Sequence, residues 1–126
     1  MFLATIKVIL NLSEYLDDAP LLSAFQICHI PIASFKAWGH NPPTPQQMQQ
    51  AVSIIQTSLK NSQPVAVHCV HGLGRTGTIV AGYLTTCGYT VQEAMDYIRT
   101  IRPHFIETEE QEEAIFEYER IQIAHH

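Results

Sequence analysis

Apolar residues recur along this chain in two rhythms. Three short runs are apolar almost throughout: Ile6–Leu12, Phe25–Ile32 and Pro64–Val67. Runs of that length, the first rich in β-branched residues, suit buried strands. Elsewhere the apolar positions fall three and four residues apart, the spacing of one helix face. Met48, Ala51, Val52, Ile55 and Leu59 do so after Thr44-Pro45-Gln46-Gln47, a capping box with proline in the first turn. Gly74 to Cys87 is apolar on nearly every side, which predicts a central buried helix ended by Gly88. Thr90 with Glu93 opens another capped helix through Val91, Ala94, Met95, Ile98 and Ile101, stopping before Pro103. Thr108 with Gln111 starts the last one, with Ile115, Tyr118 and Ile121 facing inward. Cys87 and the methionines read as core. Ser13–Leu22 is polar and turn-prone. Ala33–Pro43 carries Gly39, Asn41, Pro42 and Pro43; a loop of about ten residues is longer than most connections and is a candidate active-site loop.

Strands alternating with helices imply an α/β fold: a single domain with a central, mostly parallel sheet flanked by helices. At 126 residues the chain fits one domain spanning 1–126, with no internal repeat and no second-domain boundary. Composition is ordinary for a soluble globular protein, at 46% apolar and 15% charged residues. A formal charge of −5 gives no basic footprint, so neither nucleic acid nor an anionic membrane is an expected partner. The acidic residues crowd into Glu107–Glu119, read here as a solvated helix face. No apolar stretch reaches the roughly 18 residues of a transmembrane helix, and the first residues lack the features of a signal peptide. Three cysteines, Cys28, Cys69 and Cys87, are too few and odd in number for a disulfide framework. The expectation is a reduced, cytoplasmic protein. His125 and His126 resemble the start of a purification tag and are assigned no function. The sequence leaves the oligomeric state open.

Chemistry concentrates in Val67-His68-Cys69-Val70-His71-Gly72-Leu73-Gly74-Arg75-Thr76-Gly77, where five residues separate a cysteine from an arginine. An apolar strand leads in and an apolar helix leads out, so a phosphate-binding loop lies between a strand and a buried helix. Such a turn aims successive backbone N–H groups at one point, and the helix N-terminus adds positive potential. An oxyanion there would meet the amides of Val70, His71, Gly72, Leu73, Gly74 and Arg75, with the Arg75 guanidinium closed over it bidentately. The same positive surroundings favour thiolate over thiol. One loop thus holds a nucleophile and a dianion cradle, the equipment for phosphoryl transfer through a phosphocysteine. Gly72, Gly74 and Gly77 would allow positive φ and close backbone approach.

His-Cys-x5-Arg-Thr resembles the signature loop of the cysteine-dependent protein tyrosine and dual-specificity phosphatases. Arg102-Pro103, then Phe105-Ile106-Glu107-Thr108 and Glu110-Gln111, resemble the small atypical dual-specificity enzymes and their Cdc14-like relatives. The likeness covers roughly residues 6 to 120 and is weak outside the loop. It implies Cys69 as nucleophile, Arg75 as phosphate clamp, no metal and no cofactor. It also implies that Thr76 donates a hydrogen bond to the sulfur as it leaves the phosphoenzyme. The plainer readings are a small buried cysteine, a surface arginine and a helix-starting threonine. His68 would position the loop. His71 would either add charge near a phosphate or cap a neighbouring carbonyl. Gln111 sits where relatives hold a glutamine thought to orient the hydrolytic water; its alternative is to cap the last helix with Thr108. Cys28 could form a protective disulfide with Cys69, as a nearby cysteine does in some relatives. Val70 and Leu73 are neutral where phosphoinositide phosphatases of this superfamily carry lysines, which argues against inositol phosphates. Relatives also carry a further strand pair before the segment matching Ile6–Leu12, which here is missing or shortened.

The family's general acid is an aspartate on the loop after His29-Ile30-Pro31-Ile32. This chain has no Asp or Glu between Asp18 and Glu93, and the expected position holds Ser34. An alkyl hydroxyl is a poor acid. His40 in the same loop is a weak candidate, since an ordinary histidine titrates near 6.5. The leading expectation is therefore a phosphatase acting on phosphotyrosine proteins or small aryl phosphates, with dual specificity as a further option. A catalytically impaired phosphotyrosine-binding pseudophosphatase and an RNA 5′-triphosphatase are the alternatives. The latter is suggested by His-Cys-x-His-Gly and opposed by the acidic charge and by Gly74, where those enzymes typically carry asparagine. Arsenate reductase and rhodanese loops fit less well.

Overall fold

A computed structural model describes residues 8–12, 26–30, 32, 42–69 and 74–124, and in it three parallel strands form one sheet. These are β1 (Val8–Asn11), β2 (Gln26–His29) and β3 (Val65–His68), in the order β2-β1-β3. The most uniformly apolar run, Val8-Ile9-Leu10, takes the middle place and is buried, as a strand covered on both faces must be. The register sets Asn11 opposite His29 on one side and His68 on the other, so all three strands end level. Backbone pairing then runs on past β2. Ile30 N–H donates to the Asn11 carbonyl at 3.0 Å and Ile32 N–H to the Leu12 carbonyl at 3.1 Å.

Four helices follow the sequence pattern: α1 (Pro45–Lys60), α2 (Gly74–Thr86), α3 (Val91–Ile101) and α4 (Glu109–Ala124). Capping boxes fall where expected at Thr44 with Gln47 and Thr90 with Glu93, and Thr108 with Gln111 makes the same reciprocal pair before α4. Each such cap is worth about 1 kcal/mol. α2 is central, packing against α1, α3, α4 and β3. It closes on Gly88, whose φ of +102° is the left-handed conformation that lets Tyr89 N–H return to the Leu84 carbonyl. Among the described residues no helix is long and apolar enough to cross a membrane. The segment 13–25 that joins β1 to β2 lies outside the described residues.

The helical faces drift at their ends. Leu59 is 43% exposed and Ser58 takes its buried place, because 3.6-residue periodicity carries the face round by the fourth turn of α1. Ile101, the last residue of α3, is exposed, and Ile121 is only half-buried. Met48 and Met95 are core, but Cys87 is exposed on the turn after α2. It hydrogen-bonds Tyr83 and thereby pushes that phenol's pKa up.

Gly74 and Gly77 are helical, so neither supplies a positive φ. Close approach is their use. A Cβ on Gly77 would lie 1.9 Å from the Phe105 carbonyl oxygen, a backbone atom that cannot step aside. A Cβ on Gly82 would meet only the flexible Met48 Sδ at 2.8 Å. Gly77→Ala should therefore cost about 3 kcal/mol or more and lower the melting temperature by roughly 10 °C or more. Gly82→Ala, which gains helix propensity, should stay within about 1 kcal/mol of the parent. Thermal unfolding followed by circular dichroism measures both; equal melting temperatures for the two variants would contradict the packing described.

Candidate active site

The sheet's carboxyl edge delivers three pieces of backbone to one place: Asn11, Ile32 and Cys69. Cys69 leaves β3 directly after His68 and is half-buried. Five positions later α2 begins, so Arg75 and Thr76 stand in its first turn. Thr76 Oγ1 donates to Cys69 Sγ at 3.0 Å, closing the loop's two ends on one another.

Arg75 is 2% exposed. Taking a guanidinium out of water costs several kcal/mol unless fixed partners replace the solvent. Its Nη1 donates to the Ile32 carbonyl at 2.9 Å, and Ile32 is itself held to Leu12 by the extended pairing. The cation is therefore anchored to the sheet, and a planar guanidinium is the side chain that best matches phosphate geometry.

A second layer supports the loop from below. Gly74 N–H donates to Glu107 Oε1 at 2.7 Å. Gln111 Oε1 accepts from the N–H groups of Glu107 at 2.8 Å and Thr108 at 3.2 Å, while Gln111 N–H donates to Thr108 Oγ1 at 3.1 Å. Gln111 is wholly buried, so it does the capping work weighed in the sequence. Arg99 Nη2 ties the same stretch to α3 and α4, donating to the Ile106 carbonyl at 2.9 Å and to Glu112 Oε2 at 2.6 Å. Glu107 thus leaves the solvated acidic face to which its neighbours belong. No spacing rule singles it out, since its partner is 33 residues away. Asn11, wholly buried at the end of an apolar strand, carried a signal that went unread: a polar residue closing a core run.

Cys69, Arg75, Thr76, Gly74 and Gln111 are brought together. The residues Val70, His71, Gly72 and Leu73, and also Ser34 and His40, lie outside the described residues, as does the side chain of His68. Cys28 is not brought to Cys69. It pairs with Leu10, which pairs in turn with Val67, so two strand spacings, roughly 10 Å, separate β2 from β3 there. A disulfide needs Cα atoms within about 7 Å. Cys28 is a free thiol whose pKa burial pushes up.

The sequence model of the family described as "Dual specificity phosphatase, catalytic domain" matches residues 3–121. The chain belongs to this family. The "Tyrosine-protein phosphatase CDC14" of Candida albicans is 29% identical over 102 residues, 80% of this chain and 18% of that protein. The "Phosphatidylglycerophosphate phosphatase PTPMT1" of Arabidopsis thaliana is 33% identical over 111 residues, 87% of this chain and 32% of that protein. The chain therefore spans only a part of these curated relatives' length. Among solved structures, that of Tk-PTP in its active form superposes with a TM-score of 0.80 at 28% identity, covering 92% of this chain and 80% of the other. These likenesses support a phosphatase acting on phosphorylated substrates.

The Thr76 hydroxyl gives the site a direct test. The thiolate is the species that iodoacetate alkylates, and a hydrogen bond to a charged group is worth about 1.5–3 kcal/mol. Thr76→Val should slow alkylation of Cys69 at pH 6 roughly tenfold or more, with exposed Cys87 labelled as in the parent. Mass spectrometry of the modified peptides decides; equal Cys69 rates would show that the hydroxyl does not act on the sulfur.

Proposed function

We propose that this domain hydrolyses aryl phosphate monoesters, phosphotyrosine foremost, through a phosphocysteine intermediate. The observation that carries the reading is the Thr76–Cys69 contact beside a guanidinium buried and anchored at Ile32. The Cys69 thiolate attacks phosphorus and forms a P–S bond as the ester P–O bond breaks, and the phenolate departs with its electron pair. Arg75 and the loop amides hold the equatorial oxygens. Water then attacks the phosphocysteine; the P–S electrons return to sulfur, where the Thr76 hydroxyl meets them, and inorganic phosphate leaves.

The acid-poor loop shapes selectivity. Ser34 stands where relatives place a proton donor, and losing a general acid typically costs about 10²–10⁴ in rate. That loss falls hardest on alkoxides; a phenol of pKa about 10 departs far more easily unprotonated. Assays on p-nitrophenyl phosphate should show turnover abolished by Cys69→Ser. Phosphotyrosine peptides should react much faster than phosphoserine peptides or phosphatidylglycerophosphate. Ser34→Asp should accelerate turnover, most on the alkyl esters. Equal rates on phosphotyrosine and phosphoserine, or a preference for the phospholipid, would overturn the proposal. Tight binding of phosphotyrosine with no turnover would favour the pseudophosphatase reading instead.

A further inference from the structure

We infer that Glu107 is a positioning residue of the phosphate cradle: its carboxylate fixes the Gly74 amide and so sets the start of α2, from which Arg75 and Thr76 project. The inference rests on the phosphatase reading above and extends it to a residue outside the signature loop.

The first N–H groups of a helix have no partner within it. An N-cap side chain just before the helix usually supplies the acceptor. Here Val70-His71-Gly72-Leu73 precede α2, and none is a Ser, Thr, Asp or Asn. The acceptor comes from the segment between α3 and α4 instead, at 2.7 Å, a length typical of a charge-assisted hydrogen bond. A carboxylate there also complements the positive end of the helix dipole. The loop can then dispense with a capping side chain of its own.

Glu107 is itself aimed. Gln111 Oε1 gathers the Glu107 and Thr108 amides, and Arg99 holds the Ile106 carbonyl from α3, so residues 106–108 are fixed on both flanks. Glycine at 74 is what lets the pair come close: a Cβ there would lie 2.6 Å from Gln111 Oε1 and 2.9 Å from Glu107 Oε1. Gln111 Nε2 is buried without a hydrogen-bond partner among the described residues. An orphan donor is costly, and its retention fits a side chain whose oxygen is needed where it is. A negative charge next to a dianion site opposes substrate binding, so its contribution here is geometric. Displacing a reacting group by about 1 Å can cost some 10²-fold in rate.

The test is steady-state hydrolysis of p-nitrophenyl phosphate and tungstate affinity for the full chain and three variants. Glu107→Ala should lower kcat roughly 10- to 100-fold and weaken tungstate binding. Glu107→Gln keeps an acceptor oxygen and drops the charge, so it should restore kcat to within about fivefold of the parent with KM equal or lower. Glu107→Asp keeps the charge but falls one methylene short, and should resemble the alanine variant; it decides the matter if Glu107→Ala does not fold. Parental kcat in Glu107→Ala or Glu107→Asp overturns the inference alone. So does equal loss in Glu107→Ala and Glu107→Gln, which would make the charge itself the active feature. A parent chain that neither hydrolyses p-nitrophenyl phosphate nor binds tungstate sinks the phosphatase reading and this inference together.

Discussion

A guanidinium held away from water at the end of a small sheet is the constraint around which the domain is arranged. Arg75 at 2% exposure loses most of its hydration. The Ile32 carbonyl accepts from it and holds it in place, because that carbonyl is itself tied to the sheet. Ile32 is immobilised by pairing to Leu12, next to a central strand buried on both faces. The cation's position is thus inherited from the sheet register. A fork already desolvated and oriented gives up little freedom when an anion arrives, the situation in which preorganised charge is most effective.

From that anchor the rest of the site follows by short steps. One residue on, Thr76 turns its hydroxyl to the sulfur at the other end of the loop. One residue back, the Gly74 amide is taken by Glu107. The Arg99 guanidinium and the Glu107 carboxylate link α3 to the loop's underside, the first through the Ile106 carbonyl and the second through the Gly74 amide. Helix α2 can sit so deep only because Gly77 meets the Phe105 carbonyl without a side chain between them. Local packing and catalytic geometry are therefore the same interaction viewed from two sides.

Most of the scaffold was legible in the sequence because it obeys local rules. Each strand run begins within two residues of its observed strand, although Phe25–Ile32 overruns the end of β2 by three, and Thr-based capping boxes begin α1, α3 and α4 where the side-chain chemistry requires. Cys69, Arg75 and Thr76 were legible because one loop carries them. What the pattern missed is non-local. Glu107 looked like one more charge on an acidic helix, yet its neighbour is an amide far away in sequence. The Ile32 carbonyl has no side-chain signature at all. Leu59 and Ile101 failed as core residues because a helix face rotates out of contact near its end. Glycines 74 and 77 were read for positive φ and for close backbone approach, and the fold uses only the second.

The central claim is that the sulfur of Cys69 and the guanidinium of Arg75 serve one anion. A crystal structure of the Cys69→Ser chain grown with tungstate tests it most directly. The account predicts a single tungstate against the residue-69 side chain, gripped by both outer nitrogens of Arg75, with the Ile32 carbonyl still bonded to that guanidinium. Tungstate bound elsewhere, or a guanidinium turned away from residue 69, would contradict it.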